Sequence, residues 1–215
     1  MAQQNTKEKI LSTALELFNT KGHFGVTTNH IAKDAGVSPG NLYYHFRNKQ
    51  EIIRAIFYEI DQYGRNLLAM ADSQRPGPEI VPAYLIGIGN LLNKYTFFFR
   101  ELREILSHDD EMMAGYYSLE SLFKEQLATL LLNLSTRDQL LKSFEKPEDS
   151  KNLASLAWVI CLSWLSIVEA PSKDDENNTN ISSLYDRLFF LLKPYIRTEK
   201  IKIVTQFFTM AKNFY

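Results

Sequence analysis

Cysteine is almost absent from this 215-residue chain. Cys161 stands alone, which excludes an internal disulfide, and no Cys/His cluster has the spacing of a zinc site. Set in an apolar run, Cys161 reads as a small buried hydrophobe. Strict polar–apolar alternation is missing too, which argues against strands, while long segments with helical spacing dominate. No hydrophobic run is long enough for a membrane. The most apolar stretch, residues 153–168, has sixteen residues with three serines, short of the roughly 20 a bilayer needs. Met1-Ala2-Gln3-Gln4-Asn5 is polar and carries no export signal, so the expected location is cytoplasmic. Also lacking are a nucleophile elbow, a phosphate loop, a metal motif and suggestively paired carboxylates, so no enzyme is expected. Glu101 and Glu104 adjoin Arg100 and Arg103 and read as surface ion pairs. Asp109-Asp110-Glu111 beside His108 reads as an acidic helix start, with no metal expected. No cofactor is implied.

A strong net charge is missing as well, but the total of −1 hides an asymmetry. Residues 1–50 carry six Lys/Arg against three acids, or +3, which leaves −4 for residues 51–215. A mildly basic head on an acidic body suits a nucleic-acid-binding head, although the excess is too small to stand alone.

What is present is a punctuated segment, residues 27–46. Thr27 or Thr28 can cap a short helix whose Ile31, Ala32 and Ala35 form one small apolar face. Gly36 falls where that helix ends and a left-handed residue is wanted. Ser38 is a second N-cap, with Pro39 at the first helical position, where its missing N–H costs nothing. Leu42 and Phe46, four apart, face the same core. Asn41, Tyr43, Tyr44 and His45 are left on the outer face or flanks. This is the form of a helix-turn-helix, whose second helix enters the major groove. Asn41 can pair bidentately with adenine and Ser38 can donate or accept. Tyr43, Tyr44, His45 and Lys49 suit phosphates, which set register without reading sequence. An ordinary pair of capped helices in a globular core is the plainer alternative. It leaves unexplained the polar and aromatic residues crowding one face beside Arg47 and Lys49.

Residues 7–57 resemble the DNA-binding domain of the tetracycline-repressor (TetR) family of bacterial regulators. The resemblance rests on the opening amphipathic helix ending in Lys21-Gly22, on Val26-Thr27-Thr28, on Ile31-Ala32-Lys33-Asp34-Ala35-Gly36-Val37-Ser38, and on Leu42-Tyr43-Tyr44-His45-Phe46 with Asn48-Lys49. It implies phosphate contacts from Thr28 and Asn29. It places Pro39, Gly40 and Asn41 nearest the bases, with Tyr43, His45 and Lys49 on the backbone. Gly40 offers no side chain, so direct readout rests on few groups. The implied fold class is all-α: an N-terminal three-helix DNA-binding domain over 1–50 and a larger helical effector-binding and dimerisation domain over 51–215. The implied function is a ligand-responsive regulator, a repressor acting as a homodimer on a palindromic DNA operator and released by a small, largely apolar effector. The alternative is a constitutive or architectural DNA-binding protein without an effector, with affinity nearly independent of sequence.

Helical spacing along the body predicts segments at Lys49 to about Ala71, Glu79–Lys94, Tyr95–Leu106, Asp109 to about Leu134, Asn152 to about Ala170, Ile181 to about Leu192 and Glu199 to about Phe214. That gives nine or ten helices in all. Arg75-Pro76-Gly77-Pro78 is a break, and 136–150 is a looser connection or short helix. Residues 171–180 form a solvated loop. Three consecutive phenylalanines, Phe97, Phe98 and Phe99, sit about 100° apart on a helix, so at least one leaves any single core. Aromatic residues at helical spacing usually form core, yet pockets in helical proteins lie between helices and are mostly apolar. Candidate lining residues are Tyr84, Ile88, Leu91, Tyr95, Phe98, Leu102, Tyr116, Tyr117, Leu119 and Phe123, with Arg103 or Glu101 as anchors. A two-fold interface is expected from residues 153–168 and 181–192, with Trp158, Trp164, Leu165, Leu184, Leu188, Phe189 and Leu192 as candidates.

Overall fold

The computed structural model describes residues 2–72, 78–137, 140–167 and 181–215. Every regular element among them is helical: eleven α-helices, two 3-10 turns and no strand, only an isolated bridge between Leu141 and Ile196. They pack as two compact units, Met1–Tyr63 with Tyr95–Tyr116, and Gly64–Lys94 with Tyr117–Tyr215.

The first unit is built on α1 (Ala2–Lys21), α2 (Thr28–Asp34), α3 (Pro39–His45) and the opening turns of α4 (Lys49–Asp72). Ile10, Ala14 and Phe18, spaced by four, place one fully buried stripe of α1 inward. Ile31, Ala35, Leu42 and Phe46 close over it, and α4 adds Ile52, Ile53, Ile56 and Ile60. Gly22 and Gly36 both take positive φ, +72° and +63°, at the ends of α1 and α2. The start of α4 is capped reciprocally. The Asn48 side chain accepts from Glu51 N–H at 2.9 Å, and the Glu51 carboxylate accepts from Arg47 N–H at 2.8 Å.

The segment expected as one helix over Tyr95–Leu106 is two, α6 (Thr96–Arg100) and α7 (Leu102–Ser107), broken at Glu101. No glycine or proline marks the break. Its cause is tertiary: Phe97 N–H donates to Asn19 Oδ1 at 3.0 Å, and Glu101 turns to His23. All three phenylalanines are consequently buried. Phe97 packs on Phe18 at 5.0 Å and Phe98 stacks on Phe57 at 5.5 Å, because the short α6 lies between α1 and α4. Asp109 then caps α8 (Asp110–Thr136), accepting from Met112 N–H at 3.0 Å. The acidic cluster is thus a helix start, and no metal-binding group is found among the described residues.

The second unit holds the rest of α4 and α8 with α5 (Ile80–Lys94), α9 (Pro147–Ile167), α10 (Ile181–Leu192) and α11 (Ile201–Lys212). Helix α9 begins at Pro147, five residues before the expected start, and the described residues between α8 and α9 are Arg137 and 140–146. The expected loop at 171–180 and Arg75–Gly77 of the expected break lie outside the described residues; Pro78 lies in a turn before α5. At Gly89 any side chain would meet the hydroxyls of Tyr185 and Tyr215, which close on α5 there. The Tyr185 hydroxyl donates to Leu85 O at 2.9 Å. Cys161 is buried, and burial pushes its thiol up to about 12, leaving it inert as expected of a core residue. No described helix is long and apolar enough to cross a membrane.

Candidate nucleic-acid interface

Thr27 caps α2, its hydroxyl accepting from His30 N–H at 3.2 Å while the His30 ring accepts from Thr27 N–H at 3.3 Å. This is a capping box closed by histidine where glutamate or glutamine is usual, a reciprocity the sequence pattern did not reveal. Ser38 caps α3 by accepting from Asn41 N–H at 3.2 Å, with Pro39 at the first helical position. Between them Gly36 takes the left-handed turn, and the small Ala32 and Ala35 let the two helices close up. The result is one sharply sided rod. Leu42 and Phe46 are buried, while Ser38, Pro39, Gly40, Asn41, Tyr43 and Tyr44 are exposed and His45 is half-buried. No neighbour lies within 4 Å of a side-chain position at Gly40, so that position faces open space.

Thr28 and Asn29 stand beside this rod at the start of α2, and the Thr28 hydroxyl hydrogen-bonds that of Tyr43 at 3.0 Å. Thr28 and Tyr43, together with Val26, Thr27, Arg47, Asn48 and Lys49, border a groove of about 300 Å³, and Asn29 is not part of its lining. Lys49 is differently employed. Its ammonium donates to His23 O at 2.6 Å and Val26 O at 3.0 Å, so one of three protons is left for a phosphate. Burial pushes it below its ordinary value, the Glu101 charge opposing. Arg47, which was not singled out for contact, extends an almost wholly exposed guanidinium beside the groove.

Sequence reasoning also missed how the 95–116 segment grips the end of α1 and the start of α4, which flank the helix-turn-helix. Glu101 accepts from His23 N–H at 3.2 Å and meets the His23 ring. Arg100 donates to Asn19 O at 3.3 Å. Asp109, whose side chain is wholly buried, takes the Arg54 guanidinium and, at 3.2 Å, the Gln50 amide of α4. Burial alone would raise the Asp109 carboxyl; these donors, with the Met112 N–H, hold it below the ordinary carboxylate value. No short motif announces such a clamp, since its members lie 55 to 81 residues apart.

This geometry agrees with comparisons to known proteins. The description "Bacterial regulatory proteins, tetR family" matches residues 10–56, and "Bacterial transcriptional repressor" matches residues 61–202. The chain belongs to the TetR family. LmrA, an HTH-type transcriptional regulator of Bacillus subtilis, is 37% identical over 70 residues, 32% of this chain. That match spans only 37% of LmrA's length. A TetR-family transcriptional regulator from Marinobacter aquaeolei VT8 superposes with TM-score 0.81 at 27% identity, covering 96% of this chain and 98% of the other. AibR, solved with isovaleryl coenzyme A and operator DNA, shares the fold at TM-score 0.63 and 19% identity, covering 89% of this chain and all of AibR.

In this TetR-family chain the candidate pocket residues are distributed over both units. Tyr95 and Phe98 are buried in the first unit, Tyr95 donating to Glu59 at 3.0 Å. Leu102 is half-buried there and Tyr116 is buried. Tyr84, Ile88, Leu119 and Phe123 are buried in the second unit, Leu91 is half-buried and Tyr117 is 56% exposed. Of the proposed anchors, Glu101 holds His23 and Arg103 is exposed. Of the interface candidates, Trp164, Leu165, Leu184 and Leu188 are buried within the chain itself. Trp158, Phe189 and Leu192 are half-buried. Among the described residues, the outward apolar side chains of α9 and α10 are Leu156, Val159 and Phe190.

Proposed function

We propose that this regulator is a repressor that binds a palindromic operator as a homodimer and leaves it when a small, largely apolar molecule binds the helical body. The observation that carries the DNA-binding half is the two-sidedness of α3, with Leu42 and Phe46 buried and Pro39 to Asn41, Tyr43 and Tyr44 facing out. Residues 1–50 are the DNA-contacting part and 51–215 the effector and dimer part. Asn41 and Ser38 read bases; Thr28, Asn29, Tyr43, Tyr44, His45 and the remaining Lys49 proton hold phosphates, joined by Arg47. The outward Leu156, Val159 and Phe190, flanked by Trp158, Phe189 and Leu192, supply the two-fold contact.

AibR, a neighbour in fold, was solved with both an acyl-coenzyme A and operator DNA, which supports reading the body as an effector domain. Release requires that the effector bind the two states unequally, since equal affinity shifts nothing. The test is selection of bound fragments from the source genome, followed by competition of the selected fragment against bulk DNA. A repressor of this kind discriminates by about 4–10 kcal/mol. Equal retention of both DNAs would mean an architectural binder instead.

A further inference from the structure

Tyr84, on α5, is 4% exposed, and its hydroxyl has no hydrogen-bond partner. The buried hydroxyls of Tyr95 and Tyr185 both have one, Glu59 and Leu85 O. A phenylalanine would fill the same space without stranding a polar group, so packing does not account for the oxygen. The ring beside it belongs to Phe123 of α8, at 6.4 Å between centroids, and Phe123 in turn packs on Trp158 of α9 at 4.9 Å. Three helices thus bring together an aromatic row that carries one orphan hydroxyl. Trp158, expected at the two-fold interface, belongs to this row.

The surroundings limit what can answer that hydroxyl. Among the described residues the buried polar or charged side chains are His23, Asp109, Ser135 and Ser150, and neither of the two ionisable ones lies in this unit. On α8 the charges nearest Phe123 in sequence, Glu120 and Lys124, are paired with each other. An ionised ligand would lose its water here with no opposite charge to receive it. Burial also raises the Tyr84 phenol above its ordinary value, so it stays protonated and donates.

We propose that Tyr84 is the hydrogen-bond donor of the effector site, and that the effector is an uncharged molecule with an aromatic or aliphatic body and one carbonyl-type acceptor, held between Tyr84, Phe123 and Trp158. This rests on the reading of the body as an effector domain and narrows it from "small and apolar" to neutral with a single acceptor. The ligand enters by parting the aromatic row, which favours a body conformation with α5 and α8 further apart.

Three probes of similar size test it by calorimetric titration of the full chain: benzylacetone (neutral ketone), butylbenzene (no acceptor) and phenylbutyrate (anion). Wild type should bind benzylacetone about tenfold tighter than Tyr84→Phe, the upper end of what one net hydrogen bond supplies. Butylbenzene should not distinguish the two proteins, and phenylbutyrate should bind both more weakly than the ketone. Equal ketone affinity for both proteins overturns the donor role. Phenylbutyrate binding as tightly as the ketone overturns the neutral class, and wild type that binds none of the three overturns the site. The operator arm is separate. Ketone binding as expected in a protein that retains no operator DNA supports the site while removing the regulator reading. Ketone binding that leaves operator affinity unchanged removes Tyr84 from any effector role.

Discussion

Asp109 and Tyr84 are opposite cases of a buried polar side chain, and each makes a distinct stability prediction. Asp109 is fully supplied with donors, which hold its folded-state carboxyl below the ordinary value of 3.8. A depressed carboxyl contributes stability that is complete above the unfolded value and is lost as pH falls through the folded one. Thermal melts should therefore show the wild-type midpoint dropping more steeply than that of Asp109→Asn below about pH 3.8. At pH 7 the variant should melt lower, because Arg54 loses its charged partner. Parallel acid limbs for the two proteins would remove this carboxyl from the pH response. Tyr84 is the reverse. Its hydroxyl lacks a partner, so Tyr84→Phe should leave apo stability unchanged or raise it by about 1 kcal/mol, read from urea unfolding. A loss of that size would reveal a structural bond to the oxygen.

At the scale of the element, α3 is only seven residues long, too short to persist by propensity, so its caps and its two buried side chains carry it. Ser38→Ala should cost about 1 kcal/mol, seen as faster hydrogen exchange in α3 and weaker operator binding. Asn41→Ala should leave exchange unchanged and relax preference at one base pair by about 1–3 kcal/mol. Arg47→Ala should weaken binding to all sequences alike and reduce the salt slope by about one. The boundaries of α2 and α3 were legible because each is marked by a residue with a local job: Thr27, Gly36, Ser38, Pro39. The break at Glu101 was not, because its cause lies with Asn19 and His23, some 80 residues away in the chain. Sequence alone could not sort the lining and interface candidates from the core for a related reason. Apolar periodicity says that Trp164, Leu188, Tyr95 or Phe98 is buried, but not against which partner. Trp164 finds its partner inside the chain, where its indole N–H donates to Ser183 at 2.8 Å. Phe98 turns to Phe57 in the other unit from Tyr84.

For the whole molecule, the proposed homodimer gives operator affinity through two heads acting together, since recognition by one seven-residue helix is weak. A two-fold pair presents its recognition helices about 34–36 Å apart, one turn of B-form DNA. The second contact is then intramolecular and multiplies affinity without new chemistry. The surface holding the pair must be apolar yet unused inside the chain. On α9 and α10 that description fits Val159 and Phe190, at 57% and 76% exposed, better than the buried Leu184 or Leu188. Aspartates at both positions, Val159→Asp with Phe190→Asp, should leave each chain folded, since neither side chain is part of its core. In the pair they would bury like charges across the two-fold. Sedimentation is expected to show a dimer for wild type and monomers for the double variant, with helical content unchanged by circular dichroism. Affinity for a palindromic operator should fall by about a hundredfold or more. Affinity for a single half-site should hardly change, because each head keeps its own Asn41 and Arg47. A double variant that still sediments as a dimer would move the interface off this face. One that loses half-site and full-site affinity equally would mean that a single head does the binding and that symmetry contributes nothing.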